Sequence, residues 1–327
     1  MNPQVPIIQL PEVTSTQDEV RFAWNPKAPL RIPAEELETN AIDLDARLPV
    51  TDLVPFGLQA SHQSQGRGRF NRTWEDHPSG SILLSLAVQL PQQQAHQAGW
   101  LPGLLSLAAA ESINQLAPEV KNEWSLKWPN DLWLSGKLAG TLAQALTVAN
   151  QKDGSGAPSA KENGSQTVEN SEANGLEPKN SKMAAQPQRY ICGIGMNLKA
   201  PVTTEELPYV ADLESRLLNR APQIELDPWV WGQQIADNFL RILKSWQEAD
   251  WDISHSLLPY FESKLLGLGR EVTFQQPGPD GELAPARTGV IRGITSEGAL
   301  KLEVDDNLLI FTSGELTFPN KEEFKRY

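Results

Sequence analysis

Between Asn150 and Gln188 the chain carries almost nothing that a core could use, and this constrains its folding more than any other feature. Gly, Ser, Asn, Glu, Lys, Pro and Ala dominate there, and Val168, Leu176 and Met183 are nearly the only large apolar residues. So little apolar surface cannot offset the entropy lost on ordering the backbone. The segment therefore reads as a disordered insertion, longer than ordinary connections. Gly140–Val148 and Tyr190–Ile194 on either side are apolar and strand-like, so the insertion is expected to lie between two strands.

The remaining chain is long enough for one large domain and a small one. A formal charge of −13 and a pI near 4.9 argue against a broad nucleic-acid footprint. Cys192 is the single cysteine, so no internal disulfide can form; it sits in an apolar run and reads as a small buried hydrophobe. A reducing compartment fits that usage. The N-terminus lacks a cationic stretch followed by a long apolar one, and no apolar run approaches membrane-spanning length. The expectation is a cytoplasmic protein with neither membrane nor nucleic acid as partner.

Periodicity supplies the coarse elements. Ser81–Val88 reads as a buried strand, as does Gly140–Val148. In 101–116, Leu101, Leu104, Leu105, Ala108, Ser112, Ile113 and Leu116 share one helical stripe. A second helix is expected from Asp227, an N-cap followed by Pro228, with Trp231, Ile235, Phe239, Ile242 and Trp246 as its packing face. Beyond Gly269 come short strands separated by turn-rich tracts: Glu271–Gln275, Thr288–Gly293, Ala299–Val304 and Leu308–Thr312. They predict a small all-β, barrel-like domain. Arg21–Pro55 is rich in proline and acid, and a helix after Ser15-Thr16 is hard to trace through Pro26, Pro29 and Pro33.

The chemistry concentrates in Gln63–Trp74, Q-S-Q-G-R-G-R-F-N-R-T-W. Glycine lets backbone N–H groups approach an anion, and arginine offers a permanent charge with forked donors for carboxylate and phosphate oxygens. A ligand bearing both anions, with a base stacked on Trp74, suits such a loop; acyl-adenylate formation makes one. The run lacks Walker A spacing. Its weight comes from two companions, Lys127-Trp128-Pro129-Asn130-Asp131 followed by Gly136-Lys137-Leu138-Ala139-Gly140, and Gly193-Ile194-Gly195-Met196-Asn197.

Together with Ser15-Thr16-Gln17, these motifs resemble the biotin protein ligases over about Pro11 to Phe318. The resemblance implies an α+β fold, a mixed sheet with helices packed on it, plus a small SH3-like β-barrel C-terminal domain. It divides the chain into a catalytic domain over 1–268, with 150–188 inserted, and a C-terminal domain over 269–327. Ten residues precede Pro11, so the type without an N-terminal DNA-binding domain is expected. The implied reaction uses ATP with Mg²⁺, takes biotin as substrate, forms biotinyl-5′-AMP and modifies a lysine of a biotin carboxyl carrier protein, an acetyl-CoA carboxylase subunit. Sheet edges in this fold can pair into a homodimer.

Residue roles follow from the same resemblance. Lys137 is the leading catalytic group, placed to reduce repulsion between the biotin carboxylate and the α-phosphate. Arg67 is assigned to the carboxylate end and Arg69 to the phosphate side, with Gly66 and Gly68 completing a loop that orders over the adenylate. Ser15, Thr16 and Gln63 hydrogen-bond the ureido ring, which has two N–H donors and one carbonyl acceptor, and Gln17, Gly66, Gly68, Lys137 and Gly140 also belong to the biotin-binding set. Ser15 and Thr16 are also expected to cap a helix, a role compatible with binding. Arg72, Trp74, Asn130 and Asn197 are nucleotide-side candidates; Trp74 either stacks on adenine or packs the loop base. Asp131 either helps hold Mg²⁺ or orients the incoming lysine, and Asp in a Pro-Asn-Asp turn also has a structural reading. Lys127 is expected to support the site from a strand. His62, His77, His96 and His255 show no metal-ligand spacing.

Two other readings compete. A lipoate or octanoate ligase shares the adenylate logic, but K-W-P-N-D, G-R-G-R and the C-terminal β domain argue against it. A non-catalytic biotin sensor is disfavoured by the retention of Lys137, Arg67 and Arg69.

Overall fold

The computed structural model describes residues 4–24, 53–77, 79–146, 187–199, 209–255, 257–276 and 284–318. Most of the expected insertion, 150–186, lies outside the described residues, as does most of Arg21–Pro55. Gln188 is already the first residue of a strand paired with Leu90, so the insertion ends before it.

A seven-stranded sheet forms the larger body. Its strands are β1 (Ile7–Val13), β2 (Gly57–Gln63), β3 (Ser81–Leu90), β4 (Ser125–Lys127), β5 (Asp131–Trp133), β6 (Lys137–Leu146) and β7 (Gln188–Asn197), in the order β1-β2-β3-β7-β6-β5-β4. Only β1 and β2 run parallel, so the sheet is mixed. Strand β6 starts earlier than its apolar run, so Lys137 opens a strand rather than sitting in a turn.

Two helices cover one face: α2 (Leu101–Leu116), as its stripe requires, and, further along the chain, a long helix from Pro228 to Glu248. Helix α1 (Thr16–Ala23) packs on the other face. It is short because it ends before Pro26, which corrects the expectation that prolines obscure a helix here. Ser15 occupies its N-cap without a side-chain cap, correcting the capping role. Between Asn197 and the long helix lies α3 (Leu213–Leu217), which makes Pro228–Glu248 α4; α5 is Leu257–Ser263. Asp227 caps α4 by accepting the Trp229 N–H at 2.8 Å. Asp227→Ala is expected to cost about 0.5–2 kcal/mol, read as a lower urea midpoint at unchanged slope. Trp231, Ile235, Phe239, Ile242 and Trp246 are all buried.

Strand alternation divides the sheet chemically. Ile82, Leu84, Leu86 and Val88 of β3, with Cys192, Ile194 and Met196 of β7, join the core under α2 and α4. Burial raises the Cys192 thiol pKa and leaves it an inert hydrophobe. The opposite face therefore receives Ser85, Gly193, Gly195 and Asn197, where side chains are small. No described helix is long and apolar enough to cross a membrane.

The C-terminal strands are β8 (Glu271–Gln275), β9 (Arg287–Ile294), β10 (Leu300–Val304), β11 (Asn307–Phe311) and β12 (Glu315–Thr317). They form an antiparallel sheet in the order β11-β10-β9-β8-β12. The pattern consists of four expected strands and a fifth, β12, too short to register as a period. One hydrophobic cluster runs through both sheets. The Trp100 and Trp128 indoles reach across it, donating to the Ser296 and Gly298 carbonyls at 2.7 and 3.0 Å.

Candidate active site

The face of small residues is the floor of a cleft of about 320 Å³. Ser85 pairs with Gly193 across β3 and β7, and Gly140 pairs with Gly195 across β6 and β7. The G-I-G spacing thus puts both glycines on the ligand face and Ile194 in the core, since side chains alternate along a strand. A ligand here lies directly against backbone.

At the Gly193 row the walls are neutral and polar. The N-terminus of α1 brings Ser15, Thr16 and Gln17 over the floor, all nearly inaccessible to solvent. Gln63 Oε1, at the end of β2, accepts from the Thr16 backbone N–H at 2.7 Å and from its hydroxyl at 3.0 Å. Thr16 Oγ1 also lies 2.7 Å from Ser85 Oγ. Gln17 donates to the Leu142 carbonyl at 3.2 Å, while its own Oε1 is buried without a partner among the described residues. That orphan acceptor is suited to a ligand N–H.

The Gly195 row is cationic. Lys137 Nζ and the Trp74 ring lie above Gly140 and would each be 3.3 Å from a Cβ there. Lys137 Nζ is 2.9 Å from Asp131 Oδ1, but no donor is aligned on that buried oxygen, so the attraction is ionic rather than a hydrogen bond. Lys127 ends β4 opposite Asp131 and holds its ammonium 5.5 Å from the Trp133 ring centre. Burial lowers the pKa of Lys127 and of Arg69 below those of exposed groups. Lys127, Lys137 and Arg69 thus converge on Asp131, a surplus of positive charge suited to a polyanion.

The glycine–arginine run closes on itself. Trp74 N–H donates to the Gly66 carbonyl at 3.0 Å and Gly68 N–H to the Arg72 carbonyl at 2.7 Å. Arg67 pairs with Asp18 of α1 at 2.6 Å. Arg69 reaches Asn130 Oδ1 at 3.3 Å and the Gly314 carbonyl at 3.2 Å, and Arg72 pairs with Glu315. The loop therefore spans from α1 to the C-terminal sheet. At its foot, Asp76 hydrogen-bonds His62 at 3.0 Å, which raises the His62 pKa.

Of the residues nominated from sequence, all but Gly66 line this cleft. Gly66 instead lets the Trp74 carbonyl approach, since a Cβ there would collide with it. Asn130 spends its amide on Arg69 and on the Thr141 carbonyl at 2.7 Å, and Asn197 donates to the Ala211 carbonyl at 3.2 Å. Trp74 lies flat on Gly195, with its indole N–H buried and unpartnered among the described residues. Glu315, Asp18 and Asp76 were missed and left no signal; Gly193 and Gly195 stood in the G-I-G-M-N motif, but their role as the floor was not assigned. Among the described residues no three His, Cys, Asp or Glu side chains group as a metal site.

A Cβ at Gly195 would overlap the indole ring. Gly195→Ala is expected to cost about 1–3 kcal/mol of overpacking, read as a lower urea midpoint at unchanged slope. A wild-type midpoint would show that Trp74 moves aside freely.

Residues 58–154 match the family model described as Biotin/lipoate A/B protein ligase family, and 267–317 match that of the Biotin protein ligase C terminal domain. The chain is 26% identical over 308 residues to the biotin–[acetyl-CoA-carboxylase] ligase of Mycobacterium tuberculosis, spanning 92% of this chain and 93% of that protein. A stretch of 86 residues, 26% of each protein, is 35% identical to the bifunctional ligase/repressor BirA of Escherichia coli. Biotin protein ligase from Aquifex aeolicus, solved in complex with biotin and ATP, has a TM-score of 0.60 at 20% identity, over 95% of this chain and 97% of that one. That likeness is one of fold.

Proposed function

Because this chain belongs to the biotin protein ligase family, we propose that it joins biotin to a lysine of a biotin carboxyl carrier protein through biotinyl-5′-AMP. The observation that carries this reading is the two-part cleft. Gln17, Thr16, Gln63 and Ser85 gather over Gly193, and Lys137, Asp131 and Lys127 gather beyond Gly195. The two rows are about 6–7 Å apart along one strand. This is a suitable reach for an acid whose polar ring sits at one end and whose carboxylate meets the α-phosphate at the other.

In the first step a biotin carboxylate oxygen attacks the α-phosphorus of ATP and diphosphate leaves. Lys137 lowers the repulsion between the two anions and stabilises charge on the phosphoryl oxygens; Arg69 and Lys127 extend that positive field. In the second step the acceptor amine attacks the acyl carbon, AMP departs, and the amine's proton is lost. Asp131 is the carboxylate nearest Lys137 and is suited to receiving the incoming ammonium. Mg²⁺ would enter with ATP, held chiefly by phosphate and water with Asp131 as the carboxylate beside it, and would neutralise phosphate charge. The division into domains at residue 268 and a cytoplasmic location belong to the same proposal.

A lipoate ligase shares the first family model; the match to the biotin-specific C-terminal model favours biotin. Incubation with biotin, Mg-ATP and a carrier domain tests the reading by mass. A biotin-sized gain is expected; gain with lipoate alone, or with neither acid, would reject it.

A further inference from the structure

Lys137 is supported by the sheet on one side only, where it pairs with Trp133 of β5. Pairing of β6 with β7 begins only at Ala139, opposite Met196, so Lys137 projects beyond the ladder on that side. On its other side the register with β5 shifts between Leu132 and Trp133. A strap from Tyr209 to Ala211 replaces the missing strand. Lys137 N–H donates to the Tyr209 carbonyl at 2.6 Å, and Ala211 N–H donates to the Lys137 carbonyl at 3.0 Å, a parallel bridge centred on Val210.

The turn feeding Lys137 is held from outside the cleft. Ser135 adopts φ 55°, which a residue with a side chain rarely does. At Gly136, φ 156°, a Cβ would meet the Tyr209 carbonyl at 2.7 Å. Arg216, on α3 directly after the strap, donates from Nη2 to Ser135 Oγ at 2.6 Å. Glu123 is 3.9 Å from Arg216 but takes a 2.5 Å contact from Arg220, so it keeps a partner if Arg216 is lost.

We propose that Arg216 is a positioning residue for Lys137, acting through the Ser135–Gly136 turn that it pins against the strap. It does not line the cleft. The inference rests on Lys137 being the catalytic lysine. Moving its ammonium by a fraction of an ångström degrades alignment with the reacting phosphoryl group while leaving both substrate subsites intact.

The test is steady-state biotinylation of the carrier domain by the full chain, comparing Arg216→Met, Arg216→Lys, Ser135→Ala and the Arg216→Met/Ser135→Ala double variant. Arg216→Met is expected to lower kcat about tenfold with KM for biotin and ATP within about twofold. Arg216→Lys should recover part of the loss. The double variant should be no worse than the poorer single variant, because both remove one interaction. If Arg216→Met does not fold, Ser135→Ala, which removes only a hydroxyl, carries the test. Unchanged kcat, a rise confined to KM, or single effects that multiply would each overturn the proposal. Full activity of Lys137→Ala would instead reject the reading beneath it.

Discussion

Lys137→Ala is expected to lower the rate of biotin-dependent diphosphate release by about 10²–10³, the scale of one preorganised donor lost from a developing anion. Biotin should still bind, because Gln63, Thr16 and Gln17 lie at the Gly193 row and do not depend on the lysine. On the proposed roles the loss belongs to the chemical step: a carboxylate and a triphosphate repel, and this ammonium sits over the floor glycine Gly140. Asp131 would lose its ionic partner, though Lys127 remains opposite it in the β4–β5 ladder. Quenched-flow measurement of diphosphate with calorimetry of biotin binding checks both halves. A rate within threefold of wild type would remove Lys137 from catalysis.

Arg69→Gly is expected to form the adenylate but to release it about 10²-fold faster, since hydrogen bonds of a charged donor contribute roughly 1.5–3 kcal/mol each. The guanidinium joins the glycine–arginine loop to Asn130 and to the Gly314 carbonyl. Removing it leaves Arg72 and Glu315 as the loop's link to the C-terminal sheet. Free biotinyl-AMP should then accumulate in solution, measurable by rapid filtration and mass spectrometry. Equal retention by the variant and the wild type would defeat this role.

Local regularity made much of the fold legible. The stripe of Leu101–Leu116 and the Asp227-Pro228 start of α4 are patterns within one turn or two, and both helices form where they predict. The motif residues converge because the start of α1, the glycine–arginine loop and the strands that carry the other motifs all meet one face of the sheet. Contacts between distant segments left no trace: Arg72 and Glu315 are separated by 243 positions, and neither neighbourhood hints at the other. Asn130 and Asn197 look alike as motif residues, yet their amides spend donors on the protein's own carbonyls. Spacing conveys that a residue matters, but not which partner it serves. β12 escaped notice because three residues are too few for an alternation to register.

Leu146 and Arg189 face each other in the β6–β7 ladder, at the end away from Lys137. Whatever joins them closes a hairpin whose ends the sheet already holds together. Closure entropy grows only with the logarithm of length, about 0.6 kcal/mol per doubling. The connection is thus a place where evolution can lengthen the chain, or an engineer can splice in a reporter or a second module, while the cleft floor a full strand-length away keeps its register.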